Sequence, residues 1–198
     1  MCGRYQNKLT LEKLLEILGL DISFYDEIKK RFKKKENIAP ADLIISISQV
    51  DGKLVLEISN WGIKFKADSP LIFNSRIETI KEKSYWKGLF DKNKCLVPMT
   101  GFYEWKKSGK KKIPYKIFLP DEEIFFVPAV STNINNEKCI SLVTTEPNNF
   151  MKDIHHRMPV ILNKEKVKDF FENKVEDNID LCKPLNDSVT MEFEEAVL

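Results

Sequence analysis

Cys2 is small enough that methionine aminopeptidase is expected to remove Met1 and expose its amine. The product would be a 1,2-aminothiol, an α-amine of ordinary pKa about 7.7–8.0 beside a thiol of about 8.5, both partly nucleophilic near neutral pH. Such a terminus can react with an aldehyde in two steps. The amine condenses to a Schiff base, and the tethered thiol then closes on the same carbon to give a five-membered thiazolidine. Closure needs no second encounter, and well-oriented intramolecular reactions reach effective molarities on the order of 10⁵ M or more. Alone, a cysteine at position 2 is more often an accident of sequence, so the reading depends on its company.

Three later segments place polar groups among apolar ones in a way a plain core would not need. In FNSRIET, Asn74 offers a donor and an acceptor, and Arg76 would share its face in an extended chain. An amide beside a guanidinium suits a phosphate and the adjoining sugar; a turn asparagine and a surface arginine are the ordinary alternative. In GFYEWKK, strand periodicity puts Phe102, Glu104 and Lys106 on one face and Tyr103 with Trp105 on the other. Aromatic surroundings would raise the Glu104 carboxyl pKa and fit it for general acid or base work, while Trp105 could stack on a base. A half-buried edge-strand glutamate is the plainer reading. DIHHRMP holds both histidines of the chain, His155 and His156, followed by Arg157. Adjacent residues of an extended chain face opposite ways, so one of the two is expected at the site. No further ligands stand at a metal-binding spacing, so no metal is expected.

These residues need elements to position them. At 198 residues the chain can bury one core, and one domain over 1–198 is expected, with the polar stretch from about 176 loosely packed. No apolar run is long enough to span a bilayer, and the first residues lack the apolar core of a signal peptide, so the expectation is a cytoplasmic protein with no membrane role. Four scattered cysteines form neither a C-x-x-C pair nor a disulfide framework. A net charge of +2 gives no global pull toward nucleic acid, so a contact there would need a local patch. The runs Lys29 to Lys35 and Lys106 to Lys112 are candidates, though a solvated face is the commoner meaning of each. Thr10, LEKLLEIL and Gly19 predict a capped helix with Leu11, Leu14, Leu15 and Leu18 on one stripe. Asp51-Gly52 predicts a hairpin whose second strand puts Leu54, Leu56 and Ile58 on one face. Strands are predicted in CLVPMTGFYEW, PYKIFL, EIFFVPAVS, KCISLVTTE and RMPVIL, and helices near 77–90 and 164–173. Strands outnumber helices without regular alternation, which favours an α+β fold built on a largely antiparallel, barrel-like sheet with a few flanking helices.

MCGRY, NIAP, NSRIET, GFYEW and DIHHRMP, in this order, resemble the SRAP family, the SOS response-associated peptidase domains. The resemblance runs from Cys2 to about Leu162 and into the following helix. It implies removal of Met1, by the protein itself or by a host enzyme, and thiazolidine linkage of Cys2 to abasic sites in single-stranded DNA by a monomer without a cofactor. It also implies a compact antiparallel fold crossed by a positively charged DNA channel. Residue by residue, it makes Cys2 the nucleophile, Asn74 the amide that orients the terminus and the opened sugar, Glu104 the proton-transfer carboxylate and His155 the catalytic histidine. Arg76 and Arg157 correspond to phosphate-binding arginines, and Trp105, Asn37, Pro40 and Trp61 to channel residues. Two departures stand out. WGIKFKADSP lacks the aromatic-rich proline/glycine loop common after the tryptophan matching Trp61, and the chain ends acidic, in MEFEEAVL.

Two other functions fit parts of the sequence. Class II glutamine amidotransferases also begin Met-Cys-Gly and use the terminal amine as base for its own thiol, but they need an oxyanion site and a substrate clamp, and no glycine-rich segment suggests either. A non-catalytic single-stranded DNA-binding module would keep the basic runs and aromatics and make Cys2 dispensable.

Overall fold

The computed structural model describes residues 3–21, 25–31 and 35–198. Tyr5–Asn7 form β1, and Thr10 then caps α1 (Leu11–Leu18), its Oγ1 accepting the Lys13 amide at 3.2 Å. Gly19 ends the helix in the left-handed region at φ 67°, and Leu11, Leu14 and Leu15 are buried as their spacing predicts. The short α2 (Asp26–Arg31) and β2 (Lys35–Ile38) lead into the hairpin of β3 (Leu43–Val50) and β4 (Lys53–Trp61). Asp51 and Gly52 close it with φ of 49° and 75°, the paired positive values of a type I′ turn. Leu56 is buried in an apolar cluster against which Leu54 and Ile58 pack.

A loop then reaches β5 (Asn74–Arg76), α3 (Ile77–Glu82) and α4 (Ser84–Lys92). One helix was expected near 77–90. Lys83 breaks it by taking extended angles (φ −99°, ψ 113°), ending one helix and starting the next. The strands β6 (Lys94–Met99), β7 (Gly101–Ser108), β8 (Lys111–Phe118), β9 (Phe125–Ile134) and β10 (Glu137–Thr145) follow, with the expected strand CLVPMTGFYEW divided at Thr100 into β6 and β7. The remaining elements are α5 (Asn149–Lys152), β11 (Met158–Pro159), α6 (Lys166–Glu172), α7 (Val175–Leu181) and β12 (Glu192–Glu195).

Strands β4, β3, β6, β9 and β10 pair in that order, and β10 pairs back in parallel with β4, closing a five-stranded barrel. On β10 the barrel also carries β5, in parallel, and β11, antiparallel. The second sheet has the order β12, β8, β7, β1, β2, all antiparallel. Tyr5, Phe102 and Ile117 from this sheet join Trp61, Phe125, Val127 and Ile140 from the barrel strands in one apolar cluster. A second cluster joins α1, α3, α4 and α6 to other barrel side chains, among them Ile47, Phe126 and Val130. The α+β expectation with a barrel-like sheet is borne out.

The stretch from residue 176 packs more firmly than its polarity suggests. Asn178 is fully buried, its amide donating to the Phe170 carbonyl at 2.8 Å, Cys182 and Met191 are buried, and β12 adds an edge strand to β8. Among the described residues no helix is long and apolar enough to cross a membrane.

Candidate functional site

Strand β7 sets the floor of the site. Phe102 goes into the core opposite Tyr5 of β1, and the Tyr103 amide donates to the Arg4 carbonyl at 2.9 Å, so the first described residues run antiparallel along β7 toward Glu104. The Tyr103 hydroxyl ties this edge to β2 by donating to the Glu36 carbonyl at 2.8 Å and accepting from Gln6 at 3.2 Å. Glu104 is 2% exposed, and burial raises its carboxyl pKa above the usual carboxylate value because the charged form loses its water. Cys2 lies outside the described residues.

His155 arrives from the opposite side. Asn148 caps α5, accepting the Met151 amide at 3.0 Å, and the His155 amide then donates to the Met151 carbonyl at 2.8 Å, ending the helix in a tight turn. Within that turn Nδ1 of His155 lies 3.0 Å from the Arg157 amide nitrogen and 3.1 Å from the Arg157 carbonyl oxygen. Donation from Nδ1 to the carbonyl leaves Nε2 as the base toward a substrate, whereas acceptance from the amide leaves Nε2–H as a donor. Nδ1 also stands 3.8 Å from Oε1 of Glu104. That separation is too long for a hydrogen bond, and burial, helped by the nearby charges of His156 and Arg157, pushes the imidazole pKa down to about 4. Burial thus disfavours the charged form of both side chains, setting an imidazole held neutral beside a carboxyl whose pKa is raised.

Both groups open on a cavity of about 700 Å³ whose lining includes Trp105, Lys107, Lys112, Lys152 and His156. Two expectations change here. His155 and His156 both line it, with ring centroids 4.3 Å apart, because residues 153–156 turn instead of running extended. Consecutive Glu104 and Trp105 also both border the cavity, where strand alternation predicts one. The lysines at 107 and 112 come from the β7–β8 hairpin, where they pair in register. Among the described residues no acid forms an ion pair with Lys106, Lys107, Lys110, Lys111 or Lys112, whereas the other run is partnered: Lys29 with Glu12, Lys30 with Glu27 and Lys35 with Asp42. The hairpin run is thus the better anion surface; Lys33 and Lys34 lie outside the described residues.

Asn74 sits on β5 beside Leu142 of β10, next to Phe73, whose carbonyl accepts from Trp61 Nε1 at 2.9 Å. Trp61 itself is fully buried, edge-on to Tyr5 at 5.3 Å and to Phe73 at 6.2 Å. It does not border the cavity. Its indole instead braces the N-terminal strand against the segment that carries Asn74. Gly62, next in the chain, takes φ 130°, a conformation that side chains avoid, and a Cβ there would fall 2.6 Å from Leu71. Arg76 is exposed at the end of β5, paired with Thr144. Arg157 is not a surface cation. Its guanidinium forks onto Glu78 at 2.8 and 2.9 Å and donates to the Thr144 carbonyl at 2.8 Å, with 10% of the side chain exposed. Asn37 accepts from Arg4 at 3.0 Å on β2, two strands from β7 and so about 10 Å across the sheet, and Pro40 is half-buried in the turn beyond. Neither borders the cavity. Glu78 and Lys152 are the site residues that sequence reasoning did not single out, and Lys107 and Lys112 stood out only as members of a basic run.

Among the described residues no group of three His, Cys, Asp or Glu side chains could hold a metal ion. The cysteines Cys95, Cys139 and Cys182 are buried, and burial pushes the Cys95 thiol up to about 12 and raises the other two, so none of them is a ready thiolate.

Residues 1–196 match the family model described as SOS response associated peptidase (SRAP). Abasic site processing protein YoaM of Bacillus subtilis (strain 168) is 30% identical over 185 residues, covering 88% of this chain and 80% of its own length. Abasic site processing protein YedK of Escherichia coli (strain K12) is 27% identical over 180 residues, covering 88% and 81%. A crystal structure of a protein from Bacteroides thetaiotaomicron superimposes with a TM-score of 0.82 over 98% of this chain and 91% of its own, at 24% identity, and shares the fold.

Proposed function

We propose that this chain, which belongs to the SOS response associated peptidase family, processes abasic sites in DNA by linking its N-terminal Cys2 covalently to the ring-opened sugar. The observation that carries the reading is the Glu104–His155 pair, 3.8 Å apart at a lysine-rimmed cavity toward which the N-terminal strand runs. Catalysis by this pair uses the same proton transfers at each stage. An abasic deoxyribose is mostly a closed hemiacetal. His155, in the tautomer whose Nδ1–H donates to the Arg157 carbonyl, takes the proton of the anomeric hydroxyl at Nε2 while protonated Glu104 gives one to the ring oxygen, and the ring opens to an aldehyde. The Cys2 amine, exposed once Met1 is removed, attacks that carbon, and the resulting carbinolamine loses water by protonation of its hydroxyl to give the Schiff base. The Cys2 thiol then adds to the imine carbon, its proton passing to the nitrogen. Overall one C–N and one C–S bond form and one water leaves.

Asn74 orients the terminus and the opened sugar, and Arg76 with the hairpin lysines Lys107 and Lys112 holds flanking phosphates. Trp105, at the cavity wall, stacks on a base next to the lesion, which requires unpaired bases and gives the preference for single strands. The protein acts inside the cell as a monomer.

The test is to mix the protein with an oligonucleotide bearing one abasic site, single-stranded or annealed to an intact complement, and follow a heat-stable adduct by denaturing gel. Adduct formation on the single strand, reduced on the duplex and absent on undamaged DNA, is the expected result. Cys2→Ser keeps the amine and loses the ring closure, so strand cleavage without durable linkage is expected from it. Failure of the parent protein to form any adduct would overturn the reading.

A further inference from the structure

We propose that Glu78 is a positioning residue for this reaction, fixing through the Arg157 guanidinium the backbone turn that aims His155 into the cavity. The inference rests on the proposed reaction for its kinetic test, and on geometry alone for its spectroscopic one.

Arg157 is tied at three points. Its fork grips both carboxylate oxygens of Glu78, its Nη2 also donates to the Thr144 carbonyl, and its own amide meets His155 Nδ1 at 3.0 Å. Two-point pairing of this kind fixes direction as well as distance, which a lysine cannot do. The anchors are independent of the histidine turn. Glu78 lies in the first turn of α3, two residues beyond Arg76, and Thr144 lies on β10 between β5 and β11, paired with Arg76 on one side and Pro159 on the other. One seven-residue segment, FNSRIET, thereby carries Asn74 and Arg76 and also the anchor for His155, 77 positions further on (155 − 78). Glu78 is the only acid ion-paired to Arg157 among the described residues. Its loss would leave a nearly buried guanidinium uncompensated, free to swing toward solvent and drag the Arg157 backbone against which the imidazole is oriented. A phosphate-binding role for Arg157 predicts the opposite: Glu78 would compete with DNA, and its removal would strengthen binding.

Two measurements on Glu78→Gln separate these. The chain has two histidines, so the imidazole ¹⁵N signals can be assigned by comparison with a His156→Gln variant. In the parent, one ring tautomer of His155 should dominate; in Glu78→Gln the two nitrogens should move toward averaged shifts, and Glu78→Asp should restore much of the parent pattern. For adduct formation, the rate at saturating abasic oligonucleotide should fall on the order of ten- to a hundredfold, while the half-saturating concentration stays within about twofold. Unchanged imidazole shifts together with an unchanged saturating rate would overturn the proposal, as would a tighter half-saturation at the parent rate. Should Glu78→Gln fail to fold, Arg157→Lys keeps the charge and loses the fork, and the same slower rate at unchanged half-saturation is expected; weaker half-saturation at the parent rate would count against it. If the parent forms no adduct, the proposed function falls while the ¹⁵N comparison still decides the role of Glu78.

Discussion

Nδ1 of His155 stands 3.8 Å from Oε1 of Glu104, and burial displaces the two groups in opposite directions, the imidazole down to about 4 and the carboxyl upward. Both shifts favour the uncharged form. The pair sets an imidazole held neutral beside a carboxyl whose charged form burial disfavours, a base and an acid of the kind that opening a hemiacetal uses.

Glu104→Gln should separate the catalytic use of this carboxyl from its cost to folding. Its folded pKa is raised, so the ionised group destabilises the fold once the pH exceeds the unfolded value of about 4.3, and the penalty levels off above the folded value. The variant should therefore melt at a higher temperature than the parent at pH 7, with the gain vanishing near pH 4. Adduct formation should slow by about a hundredfold or more, as loss of a general acid commonly does. A lower melting temperature at every pH would show that the carboxylate is stabilised by its site.

His155 carries the opposite sign. Its folded pKa of about 4 lies below the unfolded value of about 6.5, so the unfolded chain binds the extra proton first and stability is lost as the pH falls through that window. Titration followed by NMR should show the His155 ring neutral at pH 6, and His155→Gln should flatten the fall in stability between pH 6.5 and 4. A midpoint near 6.5 would place the ring in solvent and remove it from the mechanism.

The cavity-rim lysines should hold phosphates. Replacing Lys107, Lys112 and Lys152 together with alanine should weaken binding to undamaged single strands. It should also reduce the slope of log affinity against log salt by about 0.7 for each phosphate left unneutralised, or about 2 if all three lysines sit on phosphates. An unchanged slope would mean that the DNA runs elsewhere.

Trp61→Ala tests the bracing role of a residue that the family resemblance makes a channel wall. Emptying a fully buried tryptophan site should cost about 3–5 kcal/mol in denaturant unfolding. Trp61→Phe should cost less, and its affinity for single-stranded DNA should match the parent. Weakened DNA binding by a well-folded Trp61→Phe would restore the tryptophan to the channel.

Local signals carried the first helix and hairpin: Thr10 and Gly19 bracket α1, and Asp51-Gly52 turns β3 into β4, each through bonds a few residues apart. The signals failed where partners are distant. Arg157 reads as a surface cation because the carboxylate that holds it is 79 positions away. Trp61, followed by a glycine and a polar loop, gives no hint that Tyr5 and Phe73 enclose it. The break at Lys83 has no proline or glycine to mark it, and β12 is a run of glutamates around one phenylalanine that pairs only because β8 offers an open edge. Glu104 and His155 were legible as residue types, but their meeting depends on a turn at 153–156 that the sequence alone does not announce.

The central claim concerns Cys2, and intact-mass spectrometry of the protein after incubation with an abasic-site oligonucleotide tests it most directly. The protein before reaction should lack Met1. The product should weigh the sum of the shortened chain and the oligonucleotide less one water, survive heating, and be absent from Cys2→Ala. An adduct of equal yield from Cys2→Ala, or from a chain that retains Met1, would contradict the account.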